Sequence, residues 1–178
     1  MNQTDAEVLI LTINAMSAGT LVFIARVLQP IMDQMRPPSF KSFLTSLVRN
    51  AMMEPILVTV GTLPIIAAVP YFYFFGLSHG WFVAGLVAWF VGSAASKIIN
   101  QPIYNWVGNP KNIDAAELLQ QRVRLARGNN LRALINVISV LMMAAQFGLV
   151  EAVITVVAAA VGSIPLVLLG RRYVLGKG

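Results

Sequence analysis

Long apolar runs, separated by short polar connectors, are the dominant pattern along this chain. Five of these runs approach the roughly 20 residues that a helix needs to cross a bilayer. They occupy about residues 8–28, 56–75, 81–99, 131–147 and 152–169. We therefore predict a single all-α transmembrane domain, residues 1–178, that forms a polytopic helical bundle of four core spans and a fifth near the C-terminus.

The polar connectors add two further helical features. After Pro37 and Pro38, apolar residues recur at three- and four-residue spacing from Phe40 to Val48. This period predicts an amphipathic helix lying at the membrane interface. The connector between the third and fourth spans also has a helical pattern, from Asp114 onwards. We therefore predict a long helical cytoplasmic connector that runs directly into the fourth span.

The basic residues indicate how the spans are oriented. With five spans, all 13 lysine and arginine residues fall on one side of the membrane. The opposite side holds Asp5, Glu7, His79 and Glu151. The positive-inside rule then predicts an integral protein of an inner or plasma membrane, with the N-terminus outside and the C-terminus in the cytoplasm. A four-span alternative would place the C-terminal basic residues on the wrong side, so the orientation depends on the fifth span.

Composition supports a membrane protein and argues against several classes of site. The hydrophobic content is 57% and the charged content 11%, whereas soluble domains are about 25% charged. The chain has no cysteine and one histidine, His79, which argues against iron–sulfur clusters, thiolate-bound zinc and sites built from several imidazoles. We therefore expect no metal and no cofactor. The net charge is +6, and the basic residues responsible for it flank the predicted spans. We therefore expect membrane lipids and no nucleic acid as partners.

Polar side chains gather where the spans reach the predicted cytoplasmic side. They are Gln29 at the end of the first span, Glu54 at the start of the second, Asn100 and Asn105 after the third, and Asn129, Asn130 and Arg132 before the fourth. The third span is expected to stop at Pro102, because proline interrupts a helix. Arg132 is followed directly by an apolar run, so we predict that it pairs with Glu54. Two interpretations remain open: a structural network that ties the helix ends together, and a binding site for a flat polar ligand.

Polar and small residues also occur within the spans. Asn14 lies near the middle of the first span, where an amide favours an interhelical hydrogen bond, with contact to a ligand as the alternative. Small residues recur at every fourth position of the third span, at Ala84, Ala88, Gly92 and Ser96. This spacing predicts close packing of that helix against another.

Three pieces of the sequence, within about residues 8–147, resemble the DUF1772 membrane family, which includes anthrone oxygenase-like proteins. They are Gly19-Thr-Leu-Val-Phe with Gln29-Pro30, then Met53-Glu54-Pro55, and finally Asn100-Gln-Pro102-Ile-Tyr-Asn105 followed by Asn129-Asn-Leu-Arg132. The family pattern is Asn-x-Pro-x-Asn after the third span and Trp-Asn-x-x-Arg at the fourth. Tyr104 stands in place of the second asparagine of this pattern, and Gly128 in place of its tryptophan.

The resemblance implies a four-helix fold and an oxygenase that acts on electron-rich phenolic or anthrone-type substrates without metal or flavin. It implies that Arg132, Asn129 and Asn100 would stabilise a substrate anion, and that Glu54 would act as the base. These four are the candidate catalytic residues. The candidate substrate-binding residues are Tyr104, Asn105, Asn130 and Asn14.

Three functions remain open on the sequence alone. The first is a structural or accessory subunit of a larger membrane complex or of a homo-oligomer, which the small residues of the third span favour. The second is the cofactor-independent oxygenase that the family resemblance implies. The third is a protein that binds a quinone, a lipid or another hydrophobic aromatic ligand without turning it over.

Overall fold

The computed structural model describes residues 2–154, 157–158, 161–162 and 164–165. This part of the chain consists of helices joined by short turns, and it contains no strand. Five long helices account for most of it: α1 at Gln3–Gln34, α2 at Pro37–Met53, α3 at Pro55–Phe75, α4 at Gly80–Gly108 and α5 at Ala115–Ala145. The chain is helical again over residues 149–154.

Four of these helices, α1, α3, α4 and α5, are long and apolar enough to cross a membrane. The predicted all-α fold with four core spans is therefore confirmed, and the four helices support an integral membrane protein. Half of the fifth predicted span, at 152–169, lies outside the described residues. The orientation that depends on it stays a prediction.

The last long helix, α5, extends well beyond the fourth predicted span. It is one helix of 31 residues, or about 46 Å at about 1.5 Å per residue, whereas the hydrocarbon core of a bilayer is about 30 Å thick. Its start is fixed by Asp114, whose carboxylate accepts a hydrogen bond of 2.7 Å from the backbone N–H of Glu117. The long helical connector is therefore confirmed as the first part of α5.

Two π-helical turns interrupt the α-helical geometry at matching places in α1 and α4. One covers Ile24–Leu28 and precedes Gln29 and Pro30, and the other covers Ser96–Asn100 and precedes Gln101 and Pro102. A proline ring in a helix collides with the carbonyl four residues earlier, and a wider turn relieves that collision. Because the chain absorbs Pro102 in this way, α4 continues to Gly108, and the prediction that the helix stops at Pro102 was wrong.

The most extensive helix contact in the described part of the bundle is between α4 and α5, and α1 also packs on α5. A Cβ atom on Gly85 would lie 2.7 Å from the carbonyl oxygen of Ser139, and one on Gly92 would lie 2.8 Å from Nδ2 of Asn136. The predicted close packing of small residues is therefore confirmed at Gly92. Its companion on the same face is Gly85, whereas Ala88 is only half-buried.

The amphipathic helix α2 packs across one end of the bundle. Phe40 and Leu44, on its apolar face, are buried against Met32 of α1, Ile103 of α4 and Leu125 of α5. The predicted amphipathic helix is therefore confirmed, and protein covers much of its apolar face. Its position at a membrane interface stays a prediction.

Helix α3 packs mainly on α1. Its buried residues are Val60, Pro64, Ala68 and Tyr71, and the ring of Tyr71 also lies 5.0 Å from that of Phe82 at the start of α4. The first residues of α3 behave differently, since residues 54–59 are all exposed. Within the described part of the chain, α3 makes no extensive contact with α4 or α5. A gap therefore separates the first half of α3 from the α4–α5 pair.

Arg122 of α5 secures the end of α1, and its loss should destabilise the protein. Its Nη1 donates hydrogen bonds to the carbonyl oxygens of Met32, at 3.1 Å, and Met35, at 2.7 Å. The guanidinium also lies 5.9 Å from the centre of the Phe40 ring. Because hydrogen bonds from a charged group are each worth about 1.5–3 kcal/mol, we expect Arg122→Ala to lower the free energy of unfolding in detergent by about 2 kcal/mol.

The matched control for this prediction is Arg124→Ala on the same helix, where the arginine is exposed. Surface substitutions of that kind usually change stability by less than about 0.5 kcal/mol. Equal losses for the two variants would show that the hydrogen bonds of Arg122 do not hold α1 in place.

Candidate functional site

A buried chain of amide side chains connects three helices at one end of the bundle. Asn129 of α5 lies at its centre: its Oδ1 accepts a hydrogen bond of 2.8 Å from Nδ2 of Asn100, and its Nδ2 donates one of 3.0 Å to Oε1 of Gln29. Gln29 in turn donates to Asp33 at 2.8 Å. Asn100, Asn129 and Gln29 are almost completely buried. The expected structural network between helix ends is therefore present.

The π turns and a glycine position this amide chain. Gln29 directly follows the first π turn and Asn100 ends the second, so both amides lie where the helices are widened. Gly128 allows α4 to come close, because a Cβ atom there would overlap Oδ1 of Asn100 and lie 3.0 Å from Cγ2 of Ile99. A tryptophan, which the DUF1772 pattern has at this position, does not fit this packing.

A cavity of about 540 Å³ lies next to the amide chain, in the gap between α3 and the α4–α5 pair. Its charged and amide side chains all come from α4 and α5. Together with a tyrosine of α4 they form what we call the polar wall: Lys97, Gln101, Tyr104, Asn129, Arg132 and Asn136. The facing wall, from α1, α2 and α3, consists of apolar and small hydroxyl side chains, among them Leu21, Ile24, Leu57 and Ile65.

The polar wall carries positive charge without a carboxylate beside it. No aspartate or glutamate is among the described residues that line the cavity. The two ion pairs found among the described residues lie elsewhere, between Glu7 and His79 and between Arg122 and Asp33. Arg132, which is half-buried, makes one side-chain hydrogen bond, from Nη1 to the hydroxyl of Tyr104 at 3.5 Å. That length is at the limit for a hydrogen bond, so most donors of the guanidinium are available to a ligand.

The predicted pair between Arg132 and Glu54 is not formed, and this prediction was wrong. Glu54 is exposed at the start of α3, where its carboxylate accepts a hydrogen bond of 3.3 Å from the backbone N–H of Ile56. A carboxylate at a helix N-terminus is stabilised by the free N–H groups and the helix dipole. It therefore needs no arginine, and Glu54 does not line the cavity.

The other predicted site residues fall into two groups. Arg132, Asn129 and Tyr104 line the cavity, and Asn100 supports it from behind by its bond to Asn129. Asn105 is exposed and accepts a hydrogen bond of 3.1 Å from Gln101 on its own helix. Asn130 is also exposed and donates to the carbonyl of Ala126, one turn earlier. The structure therefore does not bring Asn105 or Asn130 to the cavity.

Asn14 lies in the interior of the bundle, away from the cavity lining. Its Nδ2 donates a hydrogen bond of 2.8 Å to the hydroxyl of Ser139, which itself donates to the carbonyl of Gly85 at 2.7 Å. Asn14 and Ser139 are fully buried. The interpretation of Asn14 as an interhelical hydrogen bond is therefore confirmed, and it links α1, α5 and α4.

Three members of the polar wall were not predicted as site residues from the sequence: Lys97, Gln101 and Asn136. Asn136 continues the spacing of Asn129 and Arg132 along one face of α5, and this spacing could have revealed it. Lys97 and Gln101 precede Tyr104 by seven and three residues, so the same helical spacing on α4 could have revealed them as well.

A second polar cluster closes the opposite end of the bundle. The carboxylate of Glu7 is 1% exposed. Its Oε1 accepts hydrogen bonds from the hydroxyl of Tyr71 at 2.6 Å and from Nε2 of Gln3 at 3.2 Å, and it lies 2.7 Å from Nδ1 of His79. The cluster joins α1, the end of α3 and the start of α4. The sequence predicted that Glu7 and His79 lie on the same side of the membrane, but it did not predict that they contact each other.

Comparison with protein-family models, with curated proteins and with solved structures finds no match for this chain. These comparisons therefore lend no support to the DUF1772 resemblance.

Proposed function

We propose that this protein binds an amphiphilic small molecule in the cavity, with the polar group of the ligand on the polar wall and its apolar body against α1, α2 and α3. The cavity itself carries this proposal. Its volume of about 540 Å³ lies within the range of roughly 300–1,000 Å³ that is common for small-molecule sites. Such sites are mostly apolar and have a few polar groups that orient the ligand.

The facing wall supports an apolar body for the ligand. Two of its hydroxyl groups bond to their own helices, Thr20 to the carbonyl of Met16 and Thr62 to the carbonyl of Val58. A hydroxyl that is satisfied in this way does not require a polar partner in the cavity. The facing wall therefore offers the ligand a mainly apolar surface.

The position of α3 supports access from the lipid. The first half of α3 is exposed and separated from the α4–α5 pair, so the cavity lies between helices that face the bilayer. An amphiphile that is dissolved in the membrane would reach the polar wall sideways, without crossing the aqueous phase.

The oxygenase hypothesis has less support than simple binding. Arg132 and Asn129 line the cavity and would suit the stabilisation of an anion. The proposed base, Glu54, does not line it, and the described lining offers no other carboxylate. The carboxylate base that the oxygenase hypothesis requires to deprotonate a substrate is therefore not among the described residues of the lining. Binding without turnover requires only the residues that are in place.

The hypothesis of a structural or accessory subunit rests on exposed apolar residues and has no specific support here. Side chains such as Ile66 and Val69 are exposed on α3, but a helix that faces lipid exposes apolar residues in any case. A homo-oligomer or a larger complex would need a feature that distinguishes a protein contact from a lipid contact.

Filling the cavity should abolish binding. Gly61 lines it, and a Cβ atom at Gly61 would have no atom within 4 Å, so Gly61→Phe places a ring in the cavity without a collision at its base. We expect wild-type protein purified in mild detergent to retain an amphiphile that native mass spectrometry detects, and Gly61→Phe to lose it.

The matched control is Gly19→Phe. Gly19 also has open space around its Cβ position, but it lies on α1 outside the cavity lining. This variant should retain the amphiphile as the wild type does. Equal retention by all three proteins would mean that the molecule is bound at the outer surface, and it would refute the proposed function.

A further inference from the structure

We infer that the ligand of this cavity carries an oxyanion, bound by Arg132 and Lys97 on the polar wall. This inference rests on the proposed binding function and adds the charge of the ligand to it. The shared chemistry is that of a carboxylate or a phosphate monoester at the end of one apolar chain or ring system. The charges, the free donors and the size of the cavity each contribute to the argument.

The charges on the polar wall are the first step. Lys97 and Arg132 line the same cavity, and the described lining contains no carboxylate to balance them. Neither takes part in an ion pair among the described residues. Arg132 is half-buried and Lys97 is exposed, and in a helix that crosses a membrane such charged side chains usually find a partner of opposite charge. An anionic ligand would supply that partner.

The distribution of donors is the second step. Among the amides of the polar wall, both polar atoms of Asn129 are hydrogen-bonded. Gln101 and Asn136 each donate one hydrogen bond, to Asn105 and to the backbone carbonyl of Arg132, and no hydrogen bond to their side-chain oxygens is found among the described residues. The two cations of the wall, the guanidinium of Arg132 and the ammonium of Lys97, can only donate, and the hydroxyl of Tyr104 lies beside them.

These donors suit an oxyanion better than a neutral head group. A guanidinium presents parallel N–H groups that match the two oxygens of a carboxylate or phosphate, and Lys97 adds a second positive charge. A neutral alcohol accepts fewer hydrogen bonds and leaves both charges unbalanced. A cationic amine would meet like charge on the same wall.

The volume limits the apolar part of the ligand. A cavity of about 540 Å³ is of the size that holds a drug-sized molecule. It suits one acyl chain or a fused ring system, whereas a phospholipid with two chains would have to leave much of its apolar body outside. The ligand is therefore distinct from the bulk lipid that surrounds the helices.

A panel with one chain length and different head groups tests the inference. The probes are palmitate, hexadecyl phosphate, hexadecanol and hexadecylamine, each added to delipidated full-length protein in a nonionic detergent at mildly alkaline pH. Native mass spectrometry measures the bound fraction. We expect palmitate or hexadecyl phosphate to bind about tenfold or more tightly than hexadecanol, because a charge-assisted hydrogen bond is about twice as strong as a neutral one. The order of the two anions shows which oxyanion is preferred.

Variants connect this preference to its residues. Arg132→Gln and Lys97→Gln should each reduce the preference for the anions over hexadecanol several-fold. Arg132→Lys, which keeps the charge and loses the planar fork, should retain part of it. The control is Arg127→Gln, because Arg127 is exposed on the same helix and does not line the cavity. It should keep the full preference.

The possible results separate this inference from the proposed function. Equal binding of palmitate, hexadecyl phosphate and hexadecanol would refute the inference that the ligand carries an oxyanion, but not the proposal that the cavity binds an amphiphile. Preferred binding of hexadecylamine would also refute the oxyanion inference. If none of the four probes bound, both proposals would fall. An anion preference that survives Arg132→Gln together with Lys97→Gln would overturn the assignment to these two residues.

Discussion

Replacing Glu7 with alanine is expected to lower the free energy of unfolding in detergent by about 3 kcal/mol. A buried donor that loses its acceptor costs about 1–3 kcal/mol, and the partial exposure of His79, 35% for its side chain, reduces its share of that cost. The substitution leaves the Tyr71 hydroxyl and the His79 ring without the acceptor they share. Because the cluster joins three helices, we also expect local opening at this end of the bundle.

Two further variants test this explanation. Glu7→Gln retains an acceptor oxygen and should cost less than Glu7→Ala. The double variant Glu7→Ala with Tyr71→Phe should cost less than the sum of the two single losses, since both remove the same hydrogen bond. Glu117→Ala, at an exposed glutamate in the first turn of α5, is the control and should change stability by less than about 1 kcal/mol. A loss at Glu7 no larger than at Glu117 would show that the cluster does not stabilise the fold.

The sequence predicted the spans because length and hydropathy alone decide whether a helix can cross a bilayer. It failed at the end of α4, where Pro102 was taken as a stop. Whether a proline ends a helix or is absorbed by a π turn depends on the contacts of the following segment. Here Ile103 and Val107, beyond Pro102, are buried against α2 and α5. That burial favours continuation of the helix.

The candidate site was partly predictable for a similar reason. Asn100, Asn129 and Arg132 were predicted to lie close together because each stands at the same end of its span. Position along a span determines the depth of a residue in the membrane, and this part of the prediction was right. Depth says nothing about the direction in which a side chain leaves the bundle. The Arg132–Glu54 pair was predicted from depth alone, and Glu54 instead caps its own helix at the exposed start of α3.

The cavity and the Glu7 cluster could not be predicted from residue patterns. The cavity exists because the first half of α3 stands away from α4 and α5, and the uniformly apolar sequence of α3 does not indicate which of its neighbours it will contact. Glutamate side chains are mostly exposed in proteins, and the residues next to Glu7 in the sequence do not indicate its burial. Its burial depends on Tyr71 and His79, which are distant in the sequence.

The strongest destabilisation is expected at Gly128. A Cβ atom there would overlap Oδ1 of Asn100, and Asn100 is fully buried, with a hydrogen bond of 2.8 Å to Asn129. The amide cannot move aside without losing that bond. We expect Gly128→Ala to cost about 2 kcal/mol, although alanine gains about 1 kcal/mol in helix propensity. Gly128→Leu, which adds overpacking, should cost about 3–4 kcal/mol in detergent unfolding.

The role of Asn100 in this effect can be isolated. In an Asn100→Ala background the obstructing amide is gone, so adding Gly128→Ala should cost much less than it does in the wild type. The control is Gly19→Ala, at a helical glycine whose Cβ position has no atom within 4 Å; it should leave stability unchanged or raise it slightly. Strictly additive losses for Asn100→Ala and Gly128→Ala would mean that the glycine is required for another reason, and that the close approach of α4 and α5 does not depend on the Asn100–Asn129 bond.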